Sequence, residues 1–178
     1  MKMMKKLMAV ALAGVMALTL LAGCGNPYAL SVKEIMNYIE DANPVVLDYN
    51  RRKPSVTLKA AADTDAVTLA DQLNDAITAE DNQRRSETEI LRQCQAALKE
   101  KLQKEGEYVA ASYVKVPATE SETLKKWTNY DRAYRLIYYR VQLSDVSAKD
   151  GSEGTISICI RKIGDTNYVF AVIRTPGA

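Results

Sequence analysis

The chain contains no histidine. That absence removes the commonest general base, the commonest metal ligand and the side chain that titrates nearest neutral pH. A Ser-His-Asp or Cys-His mechanism cannot be assembled from such a chain. There are three cysteines, Cys24, Cys94 and Cys159, and cysteines without histidine make no plausible zinc site, so no metal is expected. Glycine is scarce, and no glycine-rich phosphate cradle is present. Lys162-Ile163-Gly164-Asp165-Thr166 lacks the needed glycines and falls in an expected hairpin. Neither sign of charge prevails, with 24 Lys+Arg against 22 Asp+Glu. Three of the lysines, Lys2, Lys5 and Lys6, sit at the extreme N-terminus, so the remainder is close to neutral. No nucleic-acid partner is expected from that balance, and no cofactor motif is visible.

Long apolar runs are also rare. One stands out, Leu7–Leu21, preceded by the lysines of Met1–Lys6 and followed by Ala22-Gly23-Cys24-Gly25. It is shorter than the roughly 20 residues a membrane span needs, and Asn26-Pro27 breaks it. Charged, then apolar, then small residues is the order of a secretion signal. Leu21-Ala22-Gly23-Cys24 resembles the lipobox of bacterial lipoproteins. The resemblance covers residues 1–25 only. It implies that residues 1–23 are a signal peptide removed between Gly23 and Cys24. It also implies a diacylglyceryl group on the Cys24 thiol. Each buried methylene contributes about 0.8 kcal/mol, and two chains anchor stably. The implied partner of Cys24 is the lipid bilayer, and the implied place is the extracytoplasmic side of the cell membrane. Residues 24–30 then form a tether and 31–178 one domain.

Within that domain the patterns favour an α+β fold. Ser31 and Glu34 are spaced as a capping box, with Val32, Ile35, Met36 and Ile39 at helical spacing behind them, until Asn43-Pro44. Val45–Leu47 and Ser55–Leu58 read as a short β-hairpin. Thr68–Ala79 suits a second helix. Ser86 and Glu89 open a third, whose stripe is Leu91, Cys94, Leu98 and Leu102, with Gly106 placed for a left-handed cap. Four strands follow: Tyr108–Val116, Ala133–Leu143, Thr155–Ile163 and Tyr168–Arg174. Gly164-Asp165 marks the last turn. A two-residue loop sets Val169, Ala171 and Ile173 beside Ile156, Ile158 and Ile160, whereas a three-residue loop sets Tyr168, Phe170 and Val172 there. The expected architecture is N-terminal helices followed by a four-stranded antiparallel sheet packed on a long helix. Its element order is similar to that of cystatin-like and NTF2-like folds, a likeness that carries no function.

Lys125–Arg140 (KKWTNYDRAYRLIYYR) is the most unusual stretch. It interleaves Trp127 and four tyrosines with cations, a mixture that binds sugars, peptides or anionic polymers by stacking and charge-assisted hydrogen bonds. Read as a strand, its tyrosines can equally be packing residues. The expected function is a non-enzymatic, membrane-anchored binding or interaction domain. Trp127, Tyr134 and Tyr138 are its candidate ligand contacts, on the sheet face left open by the main helix, and a cell-wall polymer or envelope protein is the target. The alternative is a carboxylate-dependent cell-envelope hydrolase, which needs two acids at a fixed separation. Asp145, Asp150 and Glu153 lie together near glycines but lack the alternating oxygen ligands of a calcium loop, and read as a solvated turn. The extracytoplasmic setting permits a Cys94–Cys159 disulfide. If the third helix covers the isoleucine face, the two sulfurs lie on opposite sides of the sheet and cannot bond.

Overall fold

Ser31 opens the first helix, α1 (Val32–Asp41), by accepting a hydrogen bond from the Glu34 amide at 3.2 Å. The reciprocal half of the expected box is not made. The Glu34 carboxylate instead accepts from Asn129 Nδ2, in a helix far along the chain. These contacts belong to a computed structural model that describes residues 31–48, 52–79, 85–116 and 125–178. The leader, Cys24, the tether 24–30 and the Trp127 side chain lie outside the described residues.

The elements after α1 are β1 (Val45–Val46), β2 (Ser55–Ala60), α2 (Thr64–Thr78), α3 (Glu87–Leu102), β3 (Glu107–Val116), α4 (Lys125–Tyr138), β4 (Val141–Gln142), β5 (Ser152–Ile163) and β6 (Thr166–Pro176). The strands make one curled six-stranded sheet of order β1-β2-β5-β6-β3-β4. It is mixed, because β2 runs parallel to β5 and every other pair is antiparallel. The expected four-stranded antiparallel sheet is thus corrected to six mixed strands. β2, expected as part of an isolated hairpin, docks on β5 from Val56↔Ser152 to Ala60↔Ile156. Its hairpin with β1 does form, as Val45↔Val56 and Val46↔Ser55.

The larger correction concerns residues 133–143. Ala133–Leu143 is not a strand: its first part continues α4, and only Val141–Gln142 pairs, against Ala111 and Ala110. The reason is periodicity. Asn129, Arg132, Ala133, Leu136 and Ile137 are buried, a spacing of three and four that makes one helical face. Two polar residues in that stripe hide it from an apolar count. Asp131 and Arg135 also pair at i, i+4, at 2.8 Å, which supports a helix.

Both sheet faces are covered. On one, α1 and α4 pack over Val56, Leu58, Ile156, Ile158, Val169, Ala171 and Ile173. On the other, α2 and α3 enclose Val109, Ala111, Cys159, Phe170 and Val172. Near-continuous apolar runs such as Tyr168–Ile173 reflect this double burial. The sheet is not packed on the Ser86 helix alone, as expected. α2 meets β5 and β6 directly, while α3 leans chiefly on α2 and reaches the sheet edge through Gln95 Nε2 to the Gln142 carbonyl, 3.1 Å. The Ser86–Glu89 box at the start of α3 forms in full. Gly106 is left-handed (φ 74°), but it lies in the turn beyond the Gln103 cap rather than in the cap itself. The last hairpin uses the two-residue loop: Ile163 pairs with Thr166, and Ile156 with Ile173.

Candidate functional site

No sheet face is left open for a ligand, so the expected binding surface moves outward, onto the helices. α4 buries its 129/132/133/136/137 face against the sheet, which turns Tyr130, Tyr134 and Tyr138 outward at intervals of one turn. Tyr38 reaches the same face from α1, and Tyr139 follows α4. Among the described residues, the large hydrophobics that stay exposed are these five tyrosines, with Tyr139 at 70% and Tyr130 at 50%. The gathering of Tyr38, Tyr130, Tyr134 and Tyr138 on one layer is the informative point, since scattered exposed apolar groups mean little.

The rings are ordered against one another. Tyr134 and Tyr138 have centroids 4.2 Å apart at 40°. Tyr38 and Tyr130 meet edge to face at 5.6 Å and 86°, tying α1 to α4. A groove of about 210 Å³ runs between Tyr38, Pro44, Val46, Tyr134 and Tyr138. A second depression of about 230 Å³ lies past Tyr138, bounded by Asp48, Tyr108, Arg140, Gln142 and Ser147. Tyr138 is a wall of both. Each is below the roughly 300–1,000 Å³ of an enclosed small-molecule site. Together they suit an elongated ligand lying along a surface.

Asp48 supplies the anion of the second depression and Arg140 its cation. Arg140 Nε donates to Tyr108 Oη at 3.2 Å and its Nη1 to the Ile137 carbonyl, capping the C-terminal end of α4. Both acceptors are neutral, and among the described residues Arg140 forms no ion pair. Gln142 spends its amide protons on the Ser144 and Val146 carbonyls, at 2.9 and 3.1 Å, leaving the amide oxygen as its acceptor.

Of the expected contacts, Tyr134 and Tyr138 are brought together. Trp127 lies on the same helix, with its side chain outside the described residues. Tyr38, Asp48 and Arg140 were missed as site residues. A helical reading of the 130/134/138 spacing would have shown the tyrosine row, but nothing local to Tyr38 or Asp48 announces their part in it.

The acids of Ser144–Gly154 do not converge. Asp145 pairs with Lys99, Asp150 with Lys53 and Glu153 with Lys59, at 2.5, 2.9 and 2.8 Å. Asp65 and Glu107 do come together, but on one guanidinium, that of Arg174. Among the described residues no cluster of three or more His, Cys, Asp or Glu could hold a metal ion. Cys94 and Cys159 are free thiols. They lie on the same side of the sheet, because α2 and α3 pack on the Cys159 face rather than the isoleucine face, so the condition for opposite sides is not met. Burial pushes the Cys159 thiol up to about 12, which suits a core residue rather than a nucleophile.

No family model matches this chain, and neither the curated proteins nor the solved structures contain one detectably similar to it.

Proposed function

We propose that this chain is a bacterial lipoprotein. In this reading its single domain is a non-enzymatic binding module, held at the extracytoplasmic surface of the cell membrane by a diacylglyceryl group on Cys24. The leader of residues 1–23 and the Leu21-Ala22-Gly23-Cys24 motif support the anchor. Among the described residues no helix is long and apolar enough to cross a membrane. The observation that carries the binding role is the single tyrosine face on α1 and α4, with two depressions joined at Tyr138. Tyrosine offers a large, stiff, amphipathic contact at low entropic cost, which suits recognition better than exposed aliphatic groups do.

The anchor is tested by mass spectrometry of the protein isolated from membranes: diacylglycerol on Cys24 is the expected result, and a bare thiol there rejects it. The binding face is tested by retention of the full-length, detergent-solubilised protein on purified cell-wall sacculi and on immobilised, detergent-extracted envelope proteins. Tyr134→Ala with Tyr138→Ala should abolish retention. Retention equal to that of the unaltered protein would remove the tyrosine face from the proposal.

A further inference from the structure

The depression beyond Tyr138 has a composition of its own. Its lining includes a tyrosine ring (Tyr138), one carboxylate (Asp48), one guanidinium with no carboxylate partner among the described residues (Arg140), an amide oxygen (Gln142) and a hydroxyl (Ser147). Its lining holds one acid and one base, with no excess of either sign. It offers acceptors and donors beside an aromatic side chain. A carboxylate has about four acceptor sites, so Asp48 can accept from a ligand beside the contact it already makes; a guanidinium has five N–H donors, of which Arg140 commits two to Tyr108 and Ile137. Vicinal hydroxyls, each both donor and acceptor, match that arrangement. The C–H face of a pyranose ring matches the tyrosine. An extended peptide would instead need an open strand edge to pair with, and the sheet's two edge strands, β1 and β4, are each two residues long.

We infer that the pocket of Asp48, Tyr138 and Arg140 is a carbohydrate subsite, seating one sugar ring of an uncharged hexopyranose chain whose neighbouring residues lie along Tyr134 and Tyr38. This rests on the binding role proposed for the tyrosine face and names its ligand class. Asp48 and Arg140 bind the ring hydroxyls, and Tyr138 stacks on the ring and connects this subsite to the groove between α1 and β1.

Titration calorimetry of the full-length acylated protein in detergent micelles, with chitohexaose and cellohexaose as probes, tests it. At least one hexamer should bind. Asp48→Asn should weaken binding about tenfold or more, the effect of losing a hydrogen bond to a charged group. Tyr138→Ala should abolish it, while Tyr138→Phe, which keeps the ring, should stay within about threefold. Arg140→Gln should act as Asp48→Asn does, and because Arg140 also caps α4, Asp48→Asn carries the test if that variant unfolds. Binding unchanged by Asp48→Asn and Tyr138→Ala overturns the subsite. So does binding of polyglutamate or polygalacturonate with no response to either neutral hexamer. If sacculi or the envelope proteins still retain the protein through Tyr134 and Tyr138 while neither hexamer binds, the glycan class falls and the binding face stands. If nothing is retained, both fall.

Discussion

Asn43 and Leu58 are joined by two hydrogen bonds: Asn43 Nδ2 donates to the Leu58 carbonyl and the Leu58 amide donates to Asn43 Oδ1, each at 2.9 Å. Strand β1 pairs with β2 only at Ser55 and Val56, so Leu58 has no backbone neighbour on that side. The asparagine amide stands in for one and continues the ladder. Asn43→Ala leaves a donor and an acceptor of the half-buried backbone without partners. The cost expected is about 2 kcal/mol, since an orphaned buried group costs about 1–3 kcal/mol. Urea denaturation should show a lower midpoint with an unchanged slope. A midpoint like that of the unaltered protein would mean that water replaces the amide.

A second polar tie spans three elements. Arg174 of β6 engages Asp65 in the first turn of α2 through Nε and Nη2, and Glu107 of β3 through Nη1 at 2.8 Å. The side chains are 18%, 28% and 32% exposed, so solvent screens the cluster only in part. Arg174→Met abandons two carboxylates beside each other. Destabilisation of about 1–3 kcal/mol is expected, below the 3–5 kcal/mol of a fully buried pair. Arg174→Lys should recover less than half, because an ammonium lacks the fork that holds Asp65. Denaturation midpoints of the two variants make the comparison.

The sequence is most legible where the pattern is local. The Ser86–Glu89 cap, the period-two runs of β5 and β6 and the 45–58 hairpin all follow from neighbouring residues and stand in the structure. Gly164-Asp165 left two registers open, and pairing of Ile156 with Ile173 decides for the shorter loop. Failures arose where distant contacts override local preference. Tyrosine and isoleucine in 133–143 favour a strand intrinsically, yet Asn129 and Arg132 complete a helical stripe. Asn129 is held there by a group remote in sequence, the Glu34 carboxylate. The parallel docking of β2 on β5 joins segments almost a hundred residues apart, and no periodicity signals it. The site was half legible for the same reason: Tyr134 and Tyr138 share a helix, whereas Tyr38 and Asp48 arrive by tertiary packing.

Stability should fall on acidification through two identified carboxyls. The Ser55 amide, then Lys53, hold Asp150 below its ordinary range. The Ser86 side chain, then its amide, do the same for Glu89. A carboxyl held low in the folded state binds protons more readily when unfolded. Its contribution is complete above the unfolded value and is lost as pH falls through the folded one. The unfolding free energy is expected to decline from about pH 5 downward. Asp150→Asn and Glu89→Gln should each flatten that slope. Both groups are exposed, so added salt should weaken the Lys53 part and leave the amide bonds largely intact. A slope indifferent to both substitutions would reject the assignment.

Cys159 should behave as a masked thiol. It is buried beside Phe170 and Val172, and burial, with smaller help from Asp63, pushes it up to about 12. A thiol held neutral in the fold loses stability as pH rises from the unfolded value toward the folded one, so alkaline conditions should loosen this core. At pH 8, iodoacetamide should leave Cys159 unmodified in the native protein and modify it in urea. Cys94, half-buried and also raised by burial, should react slowly rather than not at all. Peptide mapping by mass spectrometry distinguishes the two sites. Rapid native alkylation of Cys159 would contradict the packing of α2 and α3 over β5.

Gly154 is required by space rather than by backbone angle. A Cβ there would lie 2.4 Å from Thr175 Cγ2 and 2.6 Å from the Arg174 carbonyl oxygen. The threonine can rotate, but the carbonyl belongs to a strand fixed by Thr155↔Arg174 pairing and by the Asp65–Arg174–Glu107 cluster. Relief requires prising β6 from β5, so Gly154→Ala should cost about 1–3 kcal/mol, the range for overpacking. Gly164 offers the contrast: its φ is 57° and a Cβ there meets nothing within 4 Å. Asparagine tolerates that backbone region, so Gly164→Asn should change stability little. Thermal unfolding should separate the two variants clearly. The tyrosine face lies on the α1/α4 layer and shares no residue with Gly154, so Gly154→Ala protein that remains folded should bind as the unaltered protein does. A binding defect in folded Gly154→Ala protein would mean that the β5–β6 pairing also sets the position of α4.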